Sequence, residues 1–234
     1  MQQSEINVLC TRPLPASLVE EAAANGIVID ELSFIETESI LSVEVQQEIE
    51  LASTEIATVV FTSMNAVDAV TIFLDGHQPH WSIYSIGTAT AKLIKAYFGE
   101  DKIAGTASDA AALGELIAED RFTDEVIFFC GDQRRDELPE ILRQNDIEVN
   151  EIVVYQTIAT PHKIEKDYFG ILFFSPSAVQ SFFSKNKVTG RTILFAIGNT
   201  TANEIKKYSS NKIIISDEPG KENLVQKMIE YFSP

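Results

Sequence analysis

A ten-residue phrase occurs twice in this chain, as "FTSMNAVDAV" from Phe61 and as "FFSPSAVQSF" from Phe173. Each reads as the end of an apolar run, then a serine, then the start of an amphipathic helix. A second phrase follows at nearly the same spacing, "SIGTATAKLI" from Ser85 and "AIGNTTANEI" from Ala196. Two echoes in the same order and register point to a duplicated strand-to-helix unit. At 234 residues the chain fits one large domain or two of about 100 residues each.

The rest of the chain follows the same alternation. Strand patterns fall at Ile6–Thr11, Gly26–Ile35, Ile56–Thr62, Trp81–Ile86, Glu125–Cys130, Ile147–Tyr155, Gly170–Phe174, Thr192–Ile197 and Lys212–Ser216. Helix patterns lie between them, including Leu14–Asn25, Met64–Leu74, Thr88–Phe98, Ala110–Ala118, Glu137–Asn145, Pro176–Lys185, Thr200–Lys207 and Glu222–Phe232. Runs such as "VIFF" and "ILFF" are apolar throughout rather than alternating, which predicts strands covered on both faces. The fold class is therefore α/β, with parallel sheets flanked by helices. Polar stretches at 34–39 and 156–167 flank the middle of the chain and are the expected junctions.

Composition excludes several functions. Acidic residues number 35 against 18 basic, for a net charge of −17, which argues against nucleic-acid binding. It also sits uneasily with an anionic ligand. No stretch reaches the roughly 18 apolar residues of a membrane span, and "MQQSEINVLCTRP" lacks a leader pattern, so a cytoplasmic protein is expected. Cys10 and Cys130 lie in apolar runs and read as buried thiols. His77 and His80 share the loop "DGHQPHW" without a third ligand nearby, so no metal site is expected.

The candidates for chemistry cluster at the strand-to-helix turns. Ser63 and Ser175 read as helix N-caps. Gly87 and Gly198 precede hydroxyl-bearing helix starts, Thr88–Thr90 and Thr200–Thr201. One such turn is most simply a cap. Four of them form a plausible anion lip, because free N–H groups and the helix dipole favour negative charge. No dinucleotide or P-loop signature is present. "GDQRRDEL" at Gly131–Leu138 is either a surface loop or an anion clamp. Tyr155 reads as strand packing, distinguished only by its place beside the second junction.

Together the phrases "VLCTRP", "VVFTSMNAVDA", "SIGTATAKL", "FFCGDQRRDELPEIL", "VVYQT", "FFSPSAVQSF" and "AIGNTTANEI" resemble the uroporphyrinogen-III synthase family, in the family's order and across nearly the whole chain. A looser match, "DEPGKENLVQKM", follows near the C-terminus. The resemblance implies two Rossmann-like or flavodoxin-like lobes joined by a two-stranded linker, with a cleft between them. It assigns 1–35 plus 165–234 to a discontinuous first domain and 38–154 to a second, with linkers near 34–39 and 155–167. It implies cyclisation of hydroxymethylbilane, a linear tetrapyrrole with eight carboxylates, with loss of water and inversion of ring D, and with no cofactor or metal. A non-catalytic, tetrapyrrole- or polyanion-binding regulatory relative of the same fold is the alternative.

By the same resemblance, Tyr155 in "VYQT" is the proton donor to the departing hydroxyl. Ser63, Thr90, Ser175 and Thr201 contact substrate carboxylates, and Arg12 in "TRP" joins them. Gly220 stands where the family has threonine or serine, so that phrase supplies no site residue. The expected partners are hydroxymethylbilane and, transiently, hydroxymethylbilane synthase. The chain is expected to be a monomer that binds neither nucleic acid nor membrane.

Overall fold

The computed structural model describes residues 6–120, 123–218 and 220–233. Residues 1–5, on which the leader reading rests, and Pro219 of "DEPG" lie outside them. From β1 (Ile6–Cys10) the chain runs through α1 (Ala16–Ala24) to β2 (Ile27–Glu31) and β3 (Ile35–Ser39). It continues with α2 (Val43–Thr54), β4 (Ala57–Phe61), α3 (Met64–Leu74), β5 (Trp81–Ile86), α4 (Thr88–Phe98), β6 (Ile103–Ala107), α5 (Ala110–Ala118), β7 (Glu125–Gly131), α6 (Glu137–Gln144) and β8 (Glu148–Ala159). Last come β9 (Gly170–Phe173), α7 (Pro176–Lys185), β10 (Ile193–Ala196), α8 (Asn199–Lys206), β11 (Ile213–Ile215) and α9 (Lys221–Phe232).

The chain divides into two units, Met1–Glu36 with Ile158–Pro234 and Thr37–Thr157. The first holds a five-stranded sheet in the order β11-β10-β9-β1-β2, and the second a six-stranded sheet in the order β3-β8-β7-β4-β5-β6. The pairings β1–β2, β1–β9, β9–β10 and β10–β11 are parallel, as are β4–β5, β4–β7, β5–β6 and β7–β8. Parallel strands need helical crossovers, which is why strands and helices alternate along the chain. Taken within each unit, the first sheet has the flavodoxin-like order 2-1-3-4-5 and the five parallel strands of the second have the Rossmann order 3-2-1-4-5. Aligned on the repeated phrases, β9 matches β4 and β10 matches β5. The two sheets then coincide strand for strand, with β1 at the position of β7 and β2 at that of β8. The duplicated unit is thus one sheet arrangement entered by the chain at two different strands.

Both faces of each sheet are covered. Val59, Phe61 and Phe129 pack into one buried cluster while the intervening Val60, Phe128 and Cys130 pack into another on the opposite face. Successive side chains of a strand point to opposite faces, so a strand buried on both must be apolar at every position. That accounts for "VIFF" and "ILFF".

Three elements depart from expectation. The run Gly26–Ile35 is not one strand. It breaks after Glu31, and the following strand β3 joins the other sheet beside β8. Phe34, fully buried, anchors the break by edge-on contacts with Phe182 and His162. Of the expected junctions, 34–39 is mostly strand, as β3, while β8 runs past Tyr155 only to Ala159 and 160–167 carry no strand. Ile40 N–H donates to Val154 C=O and Thr160 N–H to Phe34 C=O. The helix α2 and the edge strand β6 carry no expectation from the sequence. α2 buries only Ile49, Ala52 and Ser53, too narrow an apolar stripe to stand out, and three of the five residues in "IAGTA" of β6 are alanine or glycine, which strands disfavour.

Candidate active site

In open α/β sheets ligands bind beyond the carboxyl ends of the strands, at the point where strand order reverses. In the first unit that point lies between β1 and β9, whose following turns carry Arg12 and Ser175. In the second it lies between β4 and β7, whose following turns carry Ser63 and the stretch 132–136. The next strands outward, β10 and β5, lead into Thr201 and Thr90.

The four helix starts form two matched pairs. Ser63 Oγ accepts the Asn65 N–H at 3.2 Å, and Ser175 Oγ accepts the Ala178 N–H at 3.2 Å. Both serines are caps, as their local pattern predicts, and each hydroxyl keeps its proton for an outside acceptor. The α4 and α8 starts have no side-chain cap. Ala91 N–H donates to Gly87 C=O and Ala202 N–H to Gly198 C=O. The three N–H groups before each therefore lack helical acceptors. Thr90 and Thr201 both occupy the third helical position and are 5% and 3% exposed. Among the described residues neither hydroxyl has a hydrogen-bond partner, and neither is sealed from solvent.

The two glycines differ. Gly87 adopts φ 82, a left-handed conformation that favours glycine. Gly198 is extended at φ −176, and a side chain there would meet open space. Nothing within the chain requires glycine at 198, which leaves room over the α8 N–H groups.

Arg12 follows β1, with its guanidinium 5.7 Å from the centre of the Phe174 ring. Beside it is Lys221, which sequence reasoning missed. Lys221 is the first residue of α9, another helix start without a side-chain cap, and its Nζ donates to Pro13 C=O at 3.1 Å. Partial burial first, and then the charge of Arg12, hold the Lys221 ammonium below the ordinary lysine value. Glu31, whose Oε1 accepts the Leu14 N–H, offsets part of that repulsion. The available signal was a lysine directly after the glycine of "DEPGK", at a strand-to-helix turn like the other four.

Tyr155 lies on β8 beside the last residue of β7, and the ladder shifts register there: Cys130 pairs with Val153, but Gly131 pairs with Tyr155. Its ring packs partly against the core of the second unit. Its hydroxyl has no partner among the described residues. Of the two arginines in "GDQRR", Arg134 forms ion pairs with Glu151 and Asp136 while Arg135 is exposed. An anion clamp using both is not what that loop builds. Burial pushes the Cys10 and Cys130 thiols up to about 12 and about 11, which rules them out as nucleophiles near neutrality. Among the described residues no three His, Cys, Asp or Glu side chains converge as metal ligands would.

Fold and site define a two-unit parallel α/β protein whose strand-to-helix turns present hydroxyls, free N–H groups and a cation pair at two switch points. The family model for Uroporphyrinogen-III synthase HemD matches residues 16–226, and the chain belongs to that family. Uroporphyrinogen-III synthase of Saccharomyces cerevisiae is 29% identical over 162 residues, which span 58% of this chain and 58% of the yeast protein. Among solved structures, uroporphyrinogen-III synthetase from Helicobacter pylori matches with a TM-score of 0.67 at 18% identity, covering 97% of this chain and 99% of that one. A mutant uroporphyrinogen III synthase from Thermus thermophilus matches with a TM-score of 0.64 at 12% identity, covering 97% of each. At those identities the likeness concerns the fold.

Proposed function

We propose that the chain cyclises hydroxymethylbilane to uroporphyrinogen III, with loss of water and inversion of the last pyrrole ring. The observation that carries the reading is a partnerless phenol, Tyr155, beside the carboxyl end of β7 in a chain whose family match spans residues 16–226.

The roles follow from chemistry. The substrate's eight carboxylates need many donors. The hydroxyls of Ser63, Thr90, Ser175 and Thr201, with the free N–H groups of α4 and α8, supply donors without adding charge. An acidic protein can hold a polyanion this way because helix N-termini carry the positive end of the dipole. Arg12 and Lys221 hold two like charges together, and a bound carboxylate relieves that repulsion. Tyr155 donates its proton to the departing hydroxyl, with the pyrrole's own electrons stabilising the cation left behind. Recombination through a spiro intermediate then gives the inverted ring. Left alone, the same substrate closes to the uninverted type I isomer. The protein's task is therefore mainly to hold one conformation during closure. The same proposal places a monomer in the cytoplasm, receiving substrate from hydroxymethylbilane synthase by transient contact. Among the described residues no helix is long and apolar enough to cross a membrane.

The test is to supply enzymatically generated hydroxymethylbilane, oxidise the products and resolve the type I and type III porphyrins. Type III product in excess of the protein-free control is expected. Type I alone, formed at the control rate, overturns the reading.

A further inference from the structure

We propose that the turn Gly131–Asp132 places the Tyr155 phenol, Gly131 by having no side chain and Asp132 by pinning the strand on either side of the tyrosine. This rests on the role given to Tyr155 above. A Cβ at Gly131 would collide with Tyr155 Cζ, and would lie 2.6 Å from Cε2 and 2.7 Å from the hydroxyl oxygen. Those separations are well inside van der Waals contact, so the ring occupies the space a side chain would fill. Gly131 does not adopt a positive φ. Its requirement is room, not conformation.

The strand is shaped to meet that seat. The register shift gives β8 one residue more than β7 between the pairs Cys130–Val153 and Gly131–Tyr155. Such bulges re-aim the side chains that follow them. Asp132 then holds the result from both sides. Its N–H donates to Tyr155 C=O at 3.1 Å, and its Oδ1 accepts the Thr157 N–H at 2.9 Å. Arg134 N–H closes the turn onto Gly131 C=O at 3.2 Å, and its guanidinium pairs with Glu151 farther back on β8. The β7–α6 loop thus ties to β8 at 151, 155 and 157. That is a use for "GDQRR" that neither a plain surface loop nor an anion clamp provides. These are positioning residues, since they act through Tyr155.

An alanine at 131 would meet the outer end of a side chain rather than backbone. The cheapest response is for the ring to swing away, which moves the phenol while leaving the fold in place. With enzymatically generated hydroxymethylbilane, Gly131→Ala should lower kcat nearly as far as Tyr155→Phe, about 10²-fold, with little change in KM. The double variant should be no slower than Tyr155→Phe alone, because once the hydroxyl is gone its position no longer matters. Asp132→Ala should lower kcat more than Asp132→Asn, which keeps an acceptor oxygen for the Thr157 N–H. This pair decides the matter if Gly131→Ala does not fold. Wild-type turnover in Gly131→Ala or in Asp132→Ala beside a slow Tyr155→Phe overturns the inference alone, as do losses that multiply in the double variant. Wild-type turnover in Tyr155→Phe overturns both this inference and the catalytic role of Tyr155.

Discussion

At the scale of single residues, the division of labour between proton transfer and binding separates the predictions. Tyr155→Phe keeps the ring on Gly131 and deletes only the hydroxyl. We expect binding and folding near wild type, turnover down by about 10²-fold, and residual product still type III. On the proposed roles the isomer persists, because the strand-to-helix turns and not the phenol hold the substrate's conformation. Steady-state kinetics with isomer analysis checks both halves, and a residual product of type I would reassign the steering to Tyr155. Arg12→Ala and Lys221→Ala should each raise KM, by up to about tenfold or about 1.4 kcal/mol, with the isomer ratio unchanged, because eight carboxylates share many donors. An unaltered KM in both would remove the cation pair from the site.

At the scale of elements, each cap has a structural role and a proposed binding role, and the two can be measured apart. Ser175→Ala removes the acceptor for the Ala178 N–H and should cost about 1 kcal/mol in urea unfolding. If Ser175 also holds a carboxylate, KM rises with it; a stability loss without a KM change would leave it a cap alone. On β2, Asp30 accepts Lys166 Nζ at 2.7 Å and the Tyr168 hydroxyl at 2.8 Å, tying the strand to the segment before β9. The Lys166 bond chiefly holds the Asp30 carboxyl below its ordinary value. A lowered carboxyl stabilises the fold fully above its unfolded value near 3.9, and that contribution is lost as the pH falls through the lowered folded value. The Asp30 side chain is 39% exposed, so screening keeps the contribution within about 1 kcal/mol. Asp30→Asn should be less stable than wild type at pH 7, and the gap should close below pH 4. A gap that persists at pH 2 would show that packing rather than charge sets it.

At the scale of the whole molecule, type III synthesis is expected to survive treatment with a chelator, because departure of the hydroxyl draws on the pyrrole's electrons and the described histidines and cysteines do not converge. Loss of product restored by a divalent cation would contradict this.

What the sequence determined by itself is the local physics: which runs are strands buried on both faces, most of the helices, and the serine caps at Ser63 and Ser175. These depend on periodicity and on side chains within four residues of the backbone they serve. "VIFF" needs two covered faces, and Ser63 and Ser175 cap helices, whatever lies elsewhere. What only the tertiary structure decided is the set of pairings across long stretches of chain. Strand order placed β1 beside β9 and β7 beside β4, and so made switch points of turns that look alike on paper. It split Gly26–Ile35 between two sheets, because hydrogen bonding to β1 or to β8 leaves no mark in the run itself. Lys221 reached Arg12, and Gly131 came to lie under Tyr155, by the same route. A glycine in sequence says only that a side chain is missing; which ring fills the space is decided by the strand that pairs beside it.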